Sequence, residues 1–210
     1  MKIPSRFLPV AAMILAAALV RLMPYILGAL GMQDVRDVTV FLWSFSPISA
    51  LFLFGGAQFA ERRWAYLVPL AAMLISDLGI GLLMGDMRMG IHPMIPAIYG
   101  SYAVIVWLGT RLREKRGVLA IAGSALAGEV AFFVITNFAD WLLQTGTYPH
   151  TLAGLGACYV AGIPFFRKLL ISMAVYAVAL FGGLAVIERR FAAVSRAQAV
   201  MPSSNQPSAA

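Results

Sequence analysis

Three ionisable side chains, Arg21, Asp77 and Glu129, stand inside otherwise apolar stretches of this sequence. A charged residue at the centre of a hydrocarbon layer costs roughly 2.5–3.5 kcal/mol even on the lenient insertion scales, so it marks an ion pair, a polar pathway or a binding site. A carboxylate in such a place can also act as a general acid or base. Motifs for other chemistry are missing. No GxxxxGK[ST] phosphate loop, GxGxxG after a strand, HExxH or GxSxG occurs, so the chain carries no ATPase of its own. The single cysteine, Cys158, excludes an intramolecular disulfide, a CxxC pair and a thiolate cluster. His92 and His150 are too far apart for a local metal site. No cofactor and no metal are expected.

The elements that must position these charges follow from the composition. Of 210 residues, 61% are hydrophobic and 12% charged, with a mean hydropathy of +0.84. A globular chain is about a quarter charged. The expected fold is all-α, a polytopic transmembrane bundle over residues 1–190 followed by a disordered cytoplasmic tail over 191–210. A large soluble domain and a two-domain enzyme are excluded. A bilayer core of about 30 Å takes about 20 apolar helical residues. That window predicts six spans near 7–30, 41–60, 65–85, 93–112, 117–136 and 168–187. A further apolar run, Leu152 to Phe166, is interrupted by Gly154, Gly156, Gly162 and Pro164. It reads as a re-entrant or surface-lying part of a folded outer loop, with a seventh span as the alternative. Apolar character persists from Phe7 to Leu30, too long for the core of a signal peptide, so the first span is read as uncleaved.

The net charge of +7 is read as topology rather than nucleic-acid binding. Lys2, Arg6, Arg62, Arg63, Arg111, Arg113, Lys115, Arg116, Arg189, Arg190 and Arg196 fall on one side. Arg36, Arg88, Arg167 and Lys168 fall on the other. Positive charge concentrates on the cytoplasmic face, which puts both termini inside. Arg21 then lies about two thirds along the first span, and Asp77 and Glu129 about three fifths along the third and fifth. All three reach one depth in the outer half of the membrane.

Two readings of that depth match are open: an ion pair that locks helices, or the floor of a polar cavity open to the outer face. The outer loop supplies hydrogen-bonding and aromatic groups above it in Asn137, Asp140, Trp141, Tyr148, His150, Thr151 and Tyr159. Ligand pockets combine such groups, although each aromatic alone also fits an interfacial belt. Ser44 and Ser46 flank Pro47, where the second helix kinks or begins; they cap it or face the cavity. Tyr99 and Tyr102 approach the same space from the fourth span, and Cys158 reads as a small core residue.

The stretch from Ser44 to Ala57, SFSPISALFLFGGA, resembles the N-F-[ST]-P-[VI]-G-A-x-x-L-F-G-G-A signature of an uncharacterised family of small bacterial membrane proteins. Ser76-Asp77-Leu78 matches that family's S-D-L. Thr136, Asn137, Phe138 and Trp141 match its T-N-F-x-x-W. The run from Tyr148 through Thr151, Gly154, Leu155, Cys158 and Tyr159 to Ile163-Pro164-Phe165-Phe166 matches its Y-P-x-T-x-x-G-L-x-x-C-Y-x-x-x-[IL]-P-F-F, and Arg21 with Pro24 its R-x-x-P. The resemblance covers about residues 15–185. Ser44 stands where the family has Asn, and Ser49 where it has Gly.

The family is similar in topology to the substrate-binding subunits (S-components) of energy-coupling-factor vitamin transporters. That resemblance implies six helices, a vitamin-like small-molecule ligand bound near the outer face, and a transmembrane coupling subunit with ATPases as partner. The Ala12/Ala16 pair would suit that contact. The leading expectation is a non-enzymatic uptake protein of the bacterial inner membrane, surrounded by lipid and binding no nucleic acid. Its expected substrate-binding residues are Arg21, Ser44, Ser46, Asp77, Tyr99, Glu129, Asn137, Trp141, Tyr148, Thr151 and Tyr159. The alternatives are an intramembrane enzyme using Asp77 or Glu129 on a lipid, and a structural or assembly subunit.

Overall fold

The computed structural model describes residues 7–30, 46–114, 117–143, 148–186 and 188. Ser44, the outer part of the second predicted span and the tail over 191–210 lie outside the described residues. Among the described residues six α-helices follow one another: α1 (Phe7–Ala29), α2 (Ile48–Gln58), α3 (Arg62–Met84), α4 (Ile95–Arg111), α5 (Val118–Leu143) and α6 (Leu152–Ala177). A 3-10 turn at Met87–Met89 separates α3 from α4, and α6 runs on through a π turn at Val178–Gly182 as far as Val186. No strand occurs among the described residues. Among the described residues three helices are long and apolar enough to cross a membrane: Arg62–Met84, Val118–Leu143 and Leu152–Val186.

The short α2 is the centre of the bundle. Pro47 sets its start, with φ −72° and no N–H to leave unpaired, and the Ser46 hydroxyl accepts from the Ile48 amide at 3.4 Å. From Ser49 to Gln58 every residue is buried. A helix apolar on all sides belongs inside, and α1, α3, α4, α5 and α6 all pack against it. At 1.5 Å per residue α2 is about 16 Å long and α3 about 34 Å. Because Phe59, Ala60 and Glu61 join the two, α2 climbs only half the height of α3 and begins inside the bundle.

Packing in such a bundle is set by how closely the helices approach. Lipid is as apolar as leucine, so burying one apolar side chain against another gains little by itself, and close contact of backbones and side chains decides the fit. The two glycines of the LFGGA stretch serve different neighbours. A Cβ on Gly55 would stand 3.3 Å from Ile14 of α1 and Pro69 of α3, while one on Gly56 would stand 2.4 Å from the Val106 carbonyl oxygen of α4. Gly128 of α5 meets Ile105 of α4 in the same way, at 3.0 Å. Between these contacts Phe52 stacks on Tyr102 at 4.5 Å and Phe54 meets Phe181 edge-on at 5.2 Å.

At the lower end of α2, Arg113 donates from Nε to the Gly56 carbonyl at 3.1 Å and from Nη1 to the Ala60 carbonyl at 3.0 Å. It thereby satisfies carbonyls that the end of a helix leaves without intrahelical partners. The same bonds bring the basic turn after α4 against the basic turn before α3, at one end of the bundle.

The region 137–166 departs from the folded outer loop expected of it. α5 continues seven residues beyond the predicted end at 136, and Leu152–Phe166 forms the first part of α6, continuous with the stretch expected as the last span. It is neither a re-entrant segment nor a separate crossing. Thr151 starts α6 by accepting from the Gly154 amide at 3.0 Å. Two of the glycines taken as interruptions are contact points: a Cβ on Gly154 would lie 2.0 Å from the Pro149 carbonyl oxygen, and one on Gly162 2.5 Å from Asn137 Oδ1. Arg167 and Lys168, expected at the mouth of the last span, therefore sit partway along a continuous helix, both exposed.

Candidate functional site

Arg21 of α1 and Asp77 of α3 form an ion pair, Nη1 to Oδ1, at 2.5 Å. Arg21 also donates to the Ser76 hydroxyl, which passes its own proton to the Met73 carbonyl at 2.8 Å. The second carboxylate oxygen of Asp77 accepts from the Tyr99 hydroxyl of α4 at 2.7 Å. Three helices are thus tied by one charged group. The Asp77 side chain is 5% exposed and that of Arg21 22%, so the carboxylate is inside and the guanidinium reaches partly out. Local packing holds the geometry: Gly79, two residues after Asp77, lets Leu22 of α1 approach to 3.1 Å from where a Cβ would be. On the far side, a Cβ on Gly90 would clash with the Asp77 carbonyl oxygen at 1.9 Å, so the chain after the 3-10 turn packs directly on the Asp77 backbone.

The pair stands beside the start of α2. A small cavity with room for about one water molecule separates them, lined by Arg21, Ile48, Phe52, Met73 and Ser76 among others. Ligand pockets usually hold about 300–1,000 Å³. On the opposite flank of the α2 start lies Glu129 of α5, with no exposed surface. The Ser49 hydroxyl is next to its carboxyl and to the Tyr102 phenol, yet no hydrogen bond of ordinary geometry reaches either Glu129 oxygen. The three charges borne by apolar helices therefore gather around one helix end, but only Arg21 and Asp77 touch.

The family described as "Family of unknown function (DUF6580)" matches residues 1–198. The chain belongs to this family. No curated protein and no solved structure matches it.

In this DUF6580 chain the remaining expected site residues form a second group that knits α5 to α6. Trp141 donates from Nε1 to the Pro149 carbonyl at 2.9 Å, and His150 Nε2 lies 2.8 Å from the Trp141 carbonyl, with the rings 5.1 Å apart. Tyr159 donates to the Val134 carbonyl at 2.9 Å and Asn137 to the Phe133 carbonyl at 2.8 Å. Thr151 caps α6. Asn137, Trp141 and Tyr159 are helical rather than in a loop, and neither α5 nor α6 packs on α1 or α3 among the described residues. Tyr148, half-buried, lies in the connection before α6. These groups therefore do not roof the Arg21–Asp77 pair. Cys158 is buried as expected, with its thiol directed at the Asn137 carbonyl at 3.4 Å. Ser46 holds the start of α2 from two sides, since its carbonyl also accepts from the Ser172 hydroxyl of α6 at 2.7 Å.

Several partners escaped the sequence reading. Ser76 precedes Asp77 in the S-D-L motif, and Tyr25 lies one turn after Arg21, within electrostatic reach of both charges. Helical spacing from the two charged residues is the signal that would have found them. Arg113, read only as a topology marker, is the cap of α2. Burial and the nearby Arg62 lower its pKa from the ordinary arginine value, with Tyr66 opposing. No group of three or more His, Cys, Asp or Glu side chains with metal-site geometry occurs among the described residues.

Proposed function

We propose that this protein crosses the bacterial inner membrane six times with both termini in the cytoplasm, and that it binds a small vitamin-like solute from the outer face for uptake. In this reading it works as S-components of energy-coupling-factor transporters do, without enzymatic activity. The observation that carries the reading is the half-length α2, which begins inside the bundle beside the Arg21–Asp77–Tyr99 network. Transporters use such interrupted helices at their binding sites, because the free N–H groups of a half-helix and nearby fixed charges recognise polar solutes in a dry setting. The meeting of the two basic turns through Arg113 supports the orientation. Ala12 and Ala16 are exposed on α1 and would admit close approach of a coupling subunit, whose ATPases would drive the cycle. The cavity beside Arg21 has to widen to admit a solute, so binding includes a shift of α2 against α1 and α3. The test is co-purification and uptake across a vitamin panel with the wild type and Asp77→Asn. A vitamin retained by the wild type and lost in the variant supports the reading; no retention across the panel sinks it.

A second reading, the structural subunit, is favoured by one observation: both oxygens of Asp77 are already bonded within the protein. The charge swap Arg21→Asp with Asp77→Arg separates the two. Restored expression with full uptake makes the pair structural; restored expression without uptake makes it part of the binding site.

A further inference from the structure

Glu129 is fully buried in α5, and among the described residues no hydrogen bond of ordinary geometry reaches either carboxyl oxygen. An isolated ionised carboxylate in such surroundings costs several kcal/mol, so buried charges are paired or coordinated. The neighbours that pack against α5 are α2, α4 and α6. From α4 comes Tyr102, buried, stacked on Phe52 and close enough to feel the Glu129 charge. From α2 comes the Ser49 hydroxyl and the helix start, equivalent to roughly half a positive charge. From α6 comes Ser172, whose hydroxyl is committed to the Ser46 carbonyl, while Arg167 and Lys168 are exposed on that helix. Arg21 lies beyond Tyr102 and is held by Asp77. Along α5 the next charge, Asp140, is about 16 Å further on. Among the described residues none is a full counter-charge in contact.

We propose that Glu129 is the site of an exchangeable monovalent cation, a proton or a sodium ion, held by the carboxyl with the Ser49 hydroxyl and the Tyr102 phenol as its oxygen neighbours. The cation cancels the charge that the described residues leave unmatched. Because the site sits where α2, α4 and α5 meet, release requires those helices to part. The site stands whether or not the protein carries a solute.

The experiment is thermal unfolding of the purified full-length protein in detergent, wild type beside Glu129→Gln. One arm raises sodium chloride against choline chloride at fixed pH; the other varies pH at fixed salt. A ligand that binds only the folded form raises the midpoint with each tenfold increase in its concentration, by a few degrees. For a sodium site, the wild type gains stability with sodium but not choline, and Glu129→Gln does not. For a proton site, the wild type loses stability relative to Glu129→Gln as pH rises, and its infrared spectrum carries a protonated-carboxyl stretch that the variant lacks. Parallel curves in both arms with identical carboxyl spectra overturn the proposal. If Glu129→Gln does not fold, the same titrations on Ser49→Ala must shift the cation midpoint severalfold, and an unchanged midpoint overturns it equally.

Discussion

Gly56 of α2 and Gly109 of α4 meet backbone to backbone: a Cβ on Gly109 would stand 2.2 Å from the Leu53 carbonyl oxygen and 3.0 Å from the Gly56 Cα. No side chain can be added on either without parting the helices. Gly109→Ala is therefore expected to cost at least about 1–3 kcal/mol, the usual penalty of overpacking. Gly123 of α5 has nothing within 4 Å of its would-be Cβ. Gly123→Ala should be neutral or gain up to about 1 kcal/mol from helix propensity. Unfolding midpoints of the two variants in the same detergent check the contrast, and equal losses would refute it.

Breaking the Arg21–Asp77 pair from one side leaves the other charge stranded, which in buried pairs costs about 3–5 kcal/mol. Asp77→Asn and Arg21→Met should each fall in that range. The double variant Arg21→Met with Asp77→Leu should lose less than either single change. Tyr99→Phe removes one bond to a charged acceptor and should cost about 1.5–3 kcal/mol. A double-mutant cycle on thermal stability measures the coupling.

Arg113→Ala leaves the Gly56 and Ala60 carbonyls without their donor. A loss of about 1.5–3 kcal/mol is expected, with partial rescue by Arg113→Lys, because an ammonium retains the charge at the helix end but not the forked geometry. Amide exchange localises the effect: α2 and the α3 start should lose protection before α6.

Gly162→Ala would drive a methyl group to 2.5 Å from Asn137 Oδ1 and 2.9 Å from the Phe133 ring, whereas Gly156 faces open space. Faster amide exchange in α5 and α6 for Gly162→Ala, with Gly156→Ala unchanged, is the expected result. Exchange that slows equally in both would show that helix propensity, not contact, governs this hairpin.

Much of this architecture was legible in the sequence, for physical reasons. Long apolar runs with basic turns announce membrane helices, and α1, α3 and α4 lie close to where hydropathy puts them. Charges inside such runs must find partners, and Arg21 with Asp77 did. What hydropathy misread was the role of glycine. Gly154, Gly156, Gly162 and Pro164 look like a broken segment because their helix propensity is poor, yet Gly154 and Gly162 let α6 lie against Pro149 and α5, and the helix persists through all four. The shortness of α2 was also hidden, since residues apolar enough to cross a membrane are equally suited to be surrounded by protein. The polar residues of 137–159 look like a loop above the charges because composition does not show that α5 and α6 extend through them. Their hydrogen bonds run to backbone groups within the α5–α6 hairpin.

The unbroken run from Leu152 to Val186 has a mechanical consequence. Its 35 residues extend about 52 Å, against a hydrocarbon layer of about 30 Å. Even at about 40°, the steepest tilt usual for such helices, some 10 Å has to project beyond the acyl chains. That excess has to be carried outside the acyl chains, at one end of α6 or shared between its two ends.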